Sequence, residues 1–236
     1  MGYEFRKLPS AEGQAGFPYG EVLPLATYSP WLADAEFKRV HEAIKHNTLV
    51  DIYRCYDLWL LVAECAKVAR GDLLEVGVWR GGTGALIASR CKQLHIGATV
   101  YLCDTFRGVV KAGHKDSAYS GGEHGDTSMQ LVKGLLDSLE VANCRLVEGI
   151  FPEQTGEAIE DRVFRFCHID VDVYQSAKDV SDWVWPRLER GGIVVYDDYG
   201  FRGCDGVTRL VEEQRGRIDR ATIHNLNGHA VMVKLS

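Results

Sequence analysis

The 236-residue sequence has no apolar stretch long enough to cross a bilayer. Its longest uncharged apolar stretch, Leu58 to Ala63 (LWLLVA), is far short of the roughly 20 residues a spanning helix needs, so no membrane span is expected. Basic charge is scarce too: 27 Lys plus Arg face 33 Asp plus Glu, a net charge of −6, with no extended basic cluster. Neither nucleic acid nor an anionic membrane is therefore expected as the main partner. The opening MGYEFRKLPS lacks the apolar core of a secretory leader, and Arg6 stands where myristoylation wants Ser or Thr, so a cytoplasmic location is expected. The seven cysteines (Cys55, Cys65, Cys91, Cys103, Cys144, Cys167 and Cys204) contain no CxxC pair and mostly lie in apolar runs. They read as reduced core residues rather than disulfides or a zinc site. Internal repeats and low-complexity tracts are absent as well.

What is present is an ordinary globular balance, 46% hydrophobic and 25% charged, enough to build a core. Residues 1–31 carry Gly, Pro and aromatics without helical or strand period and read as an arm laid over the body. Two helices with a break near Asn47 follow, their apolar positions drawn as Leu49, Ile52, Tyr53, Tyr56 and Leu60. Residues 1–47 are thus expected to form an arm and cap, and 48–236 the main domain. Beyond Arg70 apolar runs alternate with helical stretches, with strands expected at 72–76, 99–104, 144–148, 164–170, 192–197, 221–226 and 229–235. Helices are expected at 82–93, 128–138, 176–188 and 206–215. This alternation requires an α/β fold: a Rossmann-like, doubly wound, mostly parallel seven-stranded sheet with right-handed crossovers. The last two runs, joined by Asn227-Gly228, read as a hairpin. A parallel sheet ending in an antiparallel hairpin resembles class I methyltransferases. One long irregular insert, Val109 to Thr127, follows a strand end, where such sheets hold ligands.

The first strand runs into Glu75-Val-Gly77-Val-Trp-Arg-Gly81-Gly82-Thr83-Gly84. Glycines there let the chain turn sharply and let a ligand approach the backbone before a helix begins. The spacing fits neither the dinucleotide G-x-G-x-x-G nor a P-loop. It fits E-x-G-x-x-x-G, the loop of S-adenosylmethionine (SAM) enzymes, and an acid at the strand end suits a cationic ligand. The next strand ends at Asp104, placed to accept from both ribose hydroxyls, with Thr105, Phe106 and Phe151 as weaker candidates beside ribose and adenine. The densest signal is His168-Ile-Asp170-Val-Asp172-Val-Tyr174, followed by Tyr196-Asp197-Asp198-Tyr199. In an extended segment Asp170 and Asp172 share a face, and neighbouring strands would bring both pairs together beside the glycine loop. Four gathered carboxylates repel one another unless some are protonated or a cation joins them, and oxygen donors favour Mg²⁺, with Mn²⁺ or Ca²⁺ as substitutes. His168 would either bias the site towards a softer metal or orient a neighbour.

In the stretches GDLLEVGVWRGGTG, DTFRG, HIDVDVYQS and RGGIVVYDDYGFRGCDG the sequence resembles the macrocin O-methyltransferase (TylF-type) family, over roughly residues 48–235. The resemblance implies SAM, bound by Glu75, Gly77, Gly81, Thr83, Asp104, Thr105 and Phe151. It also implies a magnesium-type ion on Asp170, Asp197 and Asp198, and Asp172 as the base beside Asp170. A sugar or glycoside would be the acceptor, and a homodimer or larger assembly is consistent with the family. Arg107 departs from the family's usual acid in DTFEG, and neither the insert nor the arm aligns. These segments would choose the acceptor. A metal-dependent methyltransferase of catechol-like diols is the near alternative. An NAD(P)-dependent oxidoreductase or epimerase is the distant one, lacking both G-x-G-x-x-G and a committed Tyr-x-x-x-Lys base. The aromatics Phe17, Tyr19, Tyr28, Trp31, Tyr53 and Tyr56 either pin the arm or line the acceptor pocket.

A ligand that binds only the native state raises its melting temperature. S-adenosylhomocysteine is therefore expected to raise the thermal midpoint of the protein in a scanning fluorimetry experiment. A shift with NAD(P)H in its place would support the oxidoreductase.

Overall fold

A computed structural model describes Phe17, Tyr19 and residues 26–236; the rest of the expected arm lies outside the described residues. Three of the α-helices start where short polar side chains, Asp34, Asp51 and Ser128, satisfy free backbone N–H groups. Asp34 accepts from Phe37 N (2.9 Å) ahead of α1 (Ala35–Ile44), and Asp51 accepts from Tyr53 N and Arg54 N ahead of α2 (Ile52–Cys65). The remaining helices are α3 (Gly82–Gln93), α4 (Met129–Ser138), α5 (Tyr174–Val184) and α6 (Asp205–Gln214). The strands are β1 (Asp72–Val76), β2 (Val100–Asp104), β3 (Cys144–Glu148), β4 (Phe164–Ile169), β5 (Leu188–Tyr196), β6 (Arg220–His224) and β7 (Ala230–Lys234).

These strands form one sheet in the order β3-β2-β1-β4-β5-β7-β6. The first five are parallel, and β7 runs antiparallel to both β5 and β6. β4 is buried along its whole length, which explains its near-continuous apolar run: helices cover both of its faces. One layer packs Phe37, Trp59, Leu86 and Leu102 between the sheet and the helices of the first half. The other packs Phe164, Val180, Tyr196 and Val207 under α5 and α6. Strand order reverses between β1 and β4, so the carboxyl ends of these two strands open a crevice.

Four expectations change. The buried stripe of α2 is Cys55, Leu58, Trp59, Val62 and Cys65, while Tyr53 and Leu60 are exposed, because the 3.6-residue period is carried by the first set. The α5 helix ends at Val184 rather than 188: Pro186 has no N–H for the ladder, and a short 3-10 turn leads directly into β5. β5 then begins at Leu188, with Glu189 to Gly192 bulged out of register before Ile193 pairs with Phe166. Finally, β6 and β7 are joined by residues 225–229 and not by a two-residue turn, since the Asn225 side chain accepts from Asn227 N (2.9 Å) and His229 N (3.1 Å) and builds a wider loop.

Among the described residues no helix is long and apolar enough to cross a membrane. Phe37 is fully buried and meets Tyr56 edge-on at 4.8 Å, fixing α1 to α2. Phe37→Ala is expected to lower the unfolding free energy by about 3–5 kcal/mol, measured by urea denaturation.

Candidate active site

A cleft of about 330 Å³ opens at the crevice between β1 and β4. Its floor is the glycine turn after β1. Gly77 has φ +89°, and a Cβ there would lie 1.6 Å from the Asp170 carbonyl oxygen, so only glycine lets the ends of β1 and β4 approach this closely. Asp104, at the end of β2, receives the N–H groups of Val78 (2.6 Å) and Trp79 (2.8 Å) on one oxygen and that of Phe106 (2.6 Å) on the other. It thereby holds the glycine turn open while lining the cleft.

Of the residues expected to bind the cofactor, Gly77, Thr83, Asp104, Thr105 and Phe151 border this cleft, whereas Glu75 and Gly81 do not. Glu75 is fully buried beneath α3, where its Oε1 lies 2.9 Å from His168 Nδ1. Alternation along β1 sends it below the sheet edge, away from the opening. Gly81 caps α3 in the left-handed region (φ +87°), against Val132.

At the opposite wall the two acidic pairs do converge, because β4 and β5 are neighbours. Carboxylate oxygens of Asp170, Asp197 and Asp198 lie within 4.8 Å of one another. Asp172 arrives differently from the expectation: β4 ends at Ile169, and Asp172 has φ +65°, so strand alternation does not set its direction. Its N–H donates to Asp198 Oδ2 (2.8 Å), and its Oδ1 accepts the Tyr119 hydroxyl (2.5 Å).

The four acids are not equivalent. Asp197 Oδ2 pairs with Arg54. Its Oδ1 is 2.9 Å from His229 Nε2 and 3.5 Å from His168 Nε2. Burial alone would raise its pKa, but the contacts to His168 and His229 and the Arg54 charge outweigh that and hold it well below the carboxylate range. By contrast, no donor reaches the Asp170 side chain among the described residues. Burial, then the charges of Asp197 and Asp198, push Asp170 well above its ordinary value. Burial likewise raises Asp198, with Asp172 and Asp197 adding to it. Such a set of oxygen donors, with one carboxylate already neutralised and two lacking a countercharge, fits a hard divalent cation. His168 Nδ1 meets Glu75 Oε1, while its Nε2 lies 3.5 Å from Asp197 Oδ1 without a hydrogen bond, so that His168, Asp197 and His229 offer a second group of ligand atoms within 4.8 Å of one another. Burial opposes the charge on His168, but the contacts to Asp197 and Glu75 prevail and raise its pKa to about 10.

Several residues of the site were not singled out in the sequence. Arg54 is 8% exposed on the buried side of α2 and also meets Asp51 (2.7 Å). His229, fully buried just before β7, bridges Asp197 to Asp57 (2.8 Å). An arginine amid the apolar positions of α2 was a legible signal; the histidine acquires its meaning only from sheet order.

The sheet order, the glycine turn at the reversal point and the acid ending β2 define a class I SAM-dependent methyltransferase. The model of the macrocin-O-methyltransferase (TylF) family matches residues 47–233, and the chain belongs to that family. It is 30% identical over 186 residues to the 8-demethyl-8-(2,3-dimethoxy-α-L-rhamnosyl)-tetracenomycin-C 4'-O-methyltransferase of Streptomyces olivaceus, covering 72% of this chain and 68% of that one. Identity to the mycinamicin III 3''-O-methyltransferase of Micromonospora griseorubida is 28% over 165 residues, covering 63% of each chain, just under two thirds of the relative. Among solved structures, the O-methyltransferase NovP superposes with a TM-score of 0.70 at 23% identity, over 80% of this chain and 83% of that one, which bears on the fold alone. The protein is a SAM-dependent O-methyltransferase, and the oxidoreductase alternative is discarded.

Between pH 6.5 and about 10 the folded protein keeps a proton on His168 that the unfolded chain releases, so stability falls as pH rises through this window. The raised pKa of His229 acts in the same direction. In EDTA the thermal midpoint is therefore expected to decline from about pH 6.5 to 8.5, below the range where cysteines contribute. A flat or rising midpoint would contradict a buried imidazolium.

Proposed function

We propose that the chain methylates a sugar hydroxyl of a glycoside, in natural-product or polysaccharide biosynthesis in the cytoplasm, with a magnesium-type ion at Asp170, Asp197 and Asp198. The observation that carries the metal is the Asp170 carboxylate, half-buried beside the two buried ones, without a hydrogen-bond donor among the described residues and opening on the cleft that holds the glycine turn. Support for a sugar acceptor comes from the relatives, whose names place their methyl groups on a rhamnosyl tetracenomycin and on mycinamicin III.

A divalent ion held by these carboxylates would lower the pKa of an acceptor hydroxyl, which is otherwise a poor acid. The chain's own residues supply the rest. The glycine turn, braced by Asp104, receives SAM at the donor end, and Gly77 lets that turn lie directly against the Asp170 backbone. Asp172 receives the hydroxyl proton through Oδ2, the oxygen that Tyr119 leaves free. As the acceptor oxygen forms its bond to the methyl carbon, the carbon–sulfur bond breaks. Its electron pair stays on sulfur, giving the neutral thioether S-adenosylhomocysteine. Val109 and Val110 line the cleft between the two ends and help to exclude water.

Methyl transfer from labelled SAM to a panel of alkyl rhamnosides, other glycosides and catechols tests the acceptor. Turnover of catechols alone would overturn the sugar reading. Asp172→Asn is expected to lower kcat about 10²- to 10⁴-fold with S-adenosylhomocysteine binding intact. Asp170→Asn and Asp197→Asn are expected to abolish both the Mg²⁺-dependent rise in thermal midpoint and the Mg²⁺ dependence of turnover. Full activity in EDTA would remove the metal from the mechanism.

A further inference from the structure

We infer that Tyr119, on the 109–127 insert, is a positioning residue that aims the Asp172 carboxylate at the acceptor hydroxyl, an inference that rests on Asp172 being the proton acceptor. Asp172 lies beyond the end of β4, in the left-handed region, so the sheet does not orient its side chain. Its backbone is fixed by the N–H bond to Asp198, and its Oδ1 by the Tyr119 phenol at 2.5 Å. With Oδ1 engaged, Oδ2 is left as the oxygen without a donor among the described residues, on a side chain that lines the cleft. The phenol's next polar neighbour, Cys204 Sγ, is 4.0 Å away, too distant and too weak to compete.

For a phenol to orient a base, its own position must be fixed, and the insert is tied down on both sides of Tyr119. Before it, the Ser117 hydroxyl donates to Asp205, which is 1% exposed at the start of α6. Asp116 accepts from the backbone of Tyr174 (2.8 Å) and of Gly113 (2.9 Å). After it, Glu123 accepts from Ser120 N (2.7 Å) and Gly121 N (2.8 Å), and Asp126 receives Trp79 Nε1 (2.8 Å) and Arg80. The insert thus spans from the acidic wall to the glycine turn. Among the described residues, it carries the one hydroxyl that touches Asp172. A phenylalanine would fill the same space beside His124, whose ring centroid is 6.2 Å away, so the hydroxyl adds only the bond to the carboxylate.

The experiment uses the panel acceptor that the wild type turns over fastest. Tyr119→Phe is expected to lower kcat about 10- to 100-fold, the cost of a misdirected reacting group, while KM for the acceptor and the S-adenosylhomocysteine-induced thermal shift stay unchanged. The loss disappears in the Asp172→Asn background, where there is no base to aim; a merely structural tyrosine would add its loss to that of Asp172→Asn. Ser117→Ala, which frees the insert without touching the phenol, is expected to give a smaller loss in kcat and provides a second test if Tyr119→Phe folds poorly. Unchanged turnover in both variants, or multiplying losses, overturns the inference. So does faster turnover with a lower acceptor KM, which would make the phenol a competitor for Asp172. Were Asp172→Asn itself fully active, the base assignment would fail and Tyr119's role with it. A crippled Asp172→Asn beside an unaffected Tyr119→Phe overturns the positioning role alone.

Discussion

Burying the Asp197 carboxylate against Arg54, His168 and His229 ties together the parts of the molecule that make the site. A carboxylate taken out of water without partners costs several kcal/mol and would protonate instead of staying charged. Here Arg54 comes from α2, His168 from β4 and His229 from the end of the C-terminal hairpin, so one anion on β5 gathers three elements distant in sequence. Each cation is held in turn: Arg54 by Asp51, His168 by Glu75 and His229 by Asp57. Removing one of these partners would leave another charge buried and unpaired, which is why the arrangement is cooperative.

That same neutralisation leaves two carboxyl groups without a countercharge in a defined place. Asp197 has its cations, while Asp170 and Asp198 do not, and the fold places these two at the carboxyl edge where a doubly wound sheet opens. The glycine turn lies directly against them, because Gly77 allows the β1 end to touch the Asp170 backbone. Donor end and acidic wall are therefore parts of one rigid crevice. The insert closes the far side by bonding to both.

Much of the fold was legible in the sequence because its signals are local. Strand runs buried on both faces stay apolar throughout, and Gly and Asp cluster where strands end, so the strand count, the alternation and the glycine turn could be read directly. The errors also have local causes. Tyr53 and Leu60 look like core on α2 until the better-spaced Cys55, Leu58, Val62 and Cys65 are seen to win the interior. Asn225 widens the hairpin loop through its own side chain, overriding the Asn-Gly signal.

The sequence by itself determined the class of fold, the glycine turn and the set of four aspartates, since each is written in a few consecutive residues. Only the tertiary structure decided which aspartate is neutralised, that Glu75 serves His168 and not the cleft, and that Tyr119 meets Asp172. The contacts Arg54–Asp197, Glu75–His168 and Tyr119–Asp172 join residues 53 to 143 positions apart. Their partners are chosen by strand order and burial. No local pattern encodes them, because the free energy of a buried charge depends on what the rest of the chain brings beside it.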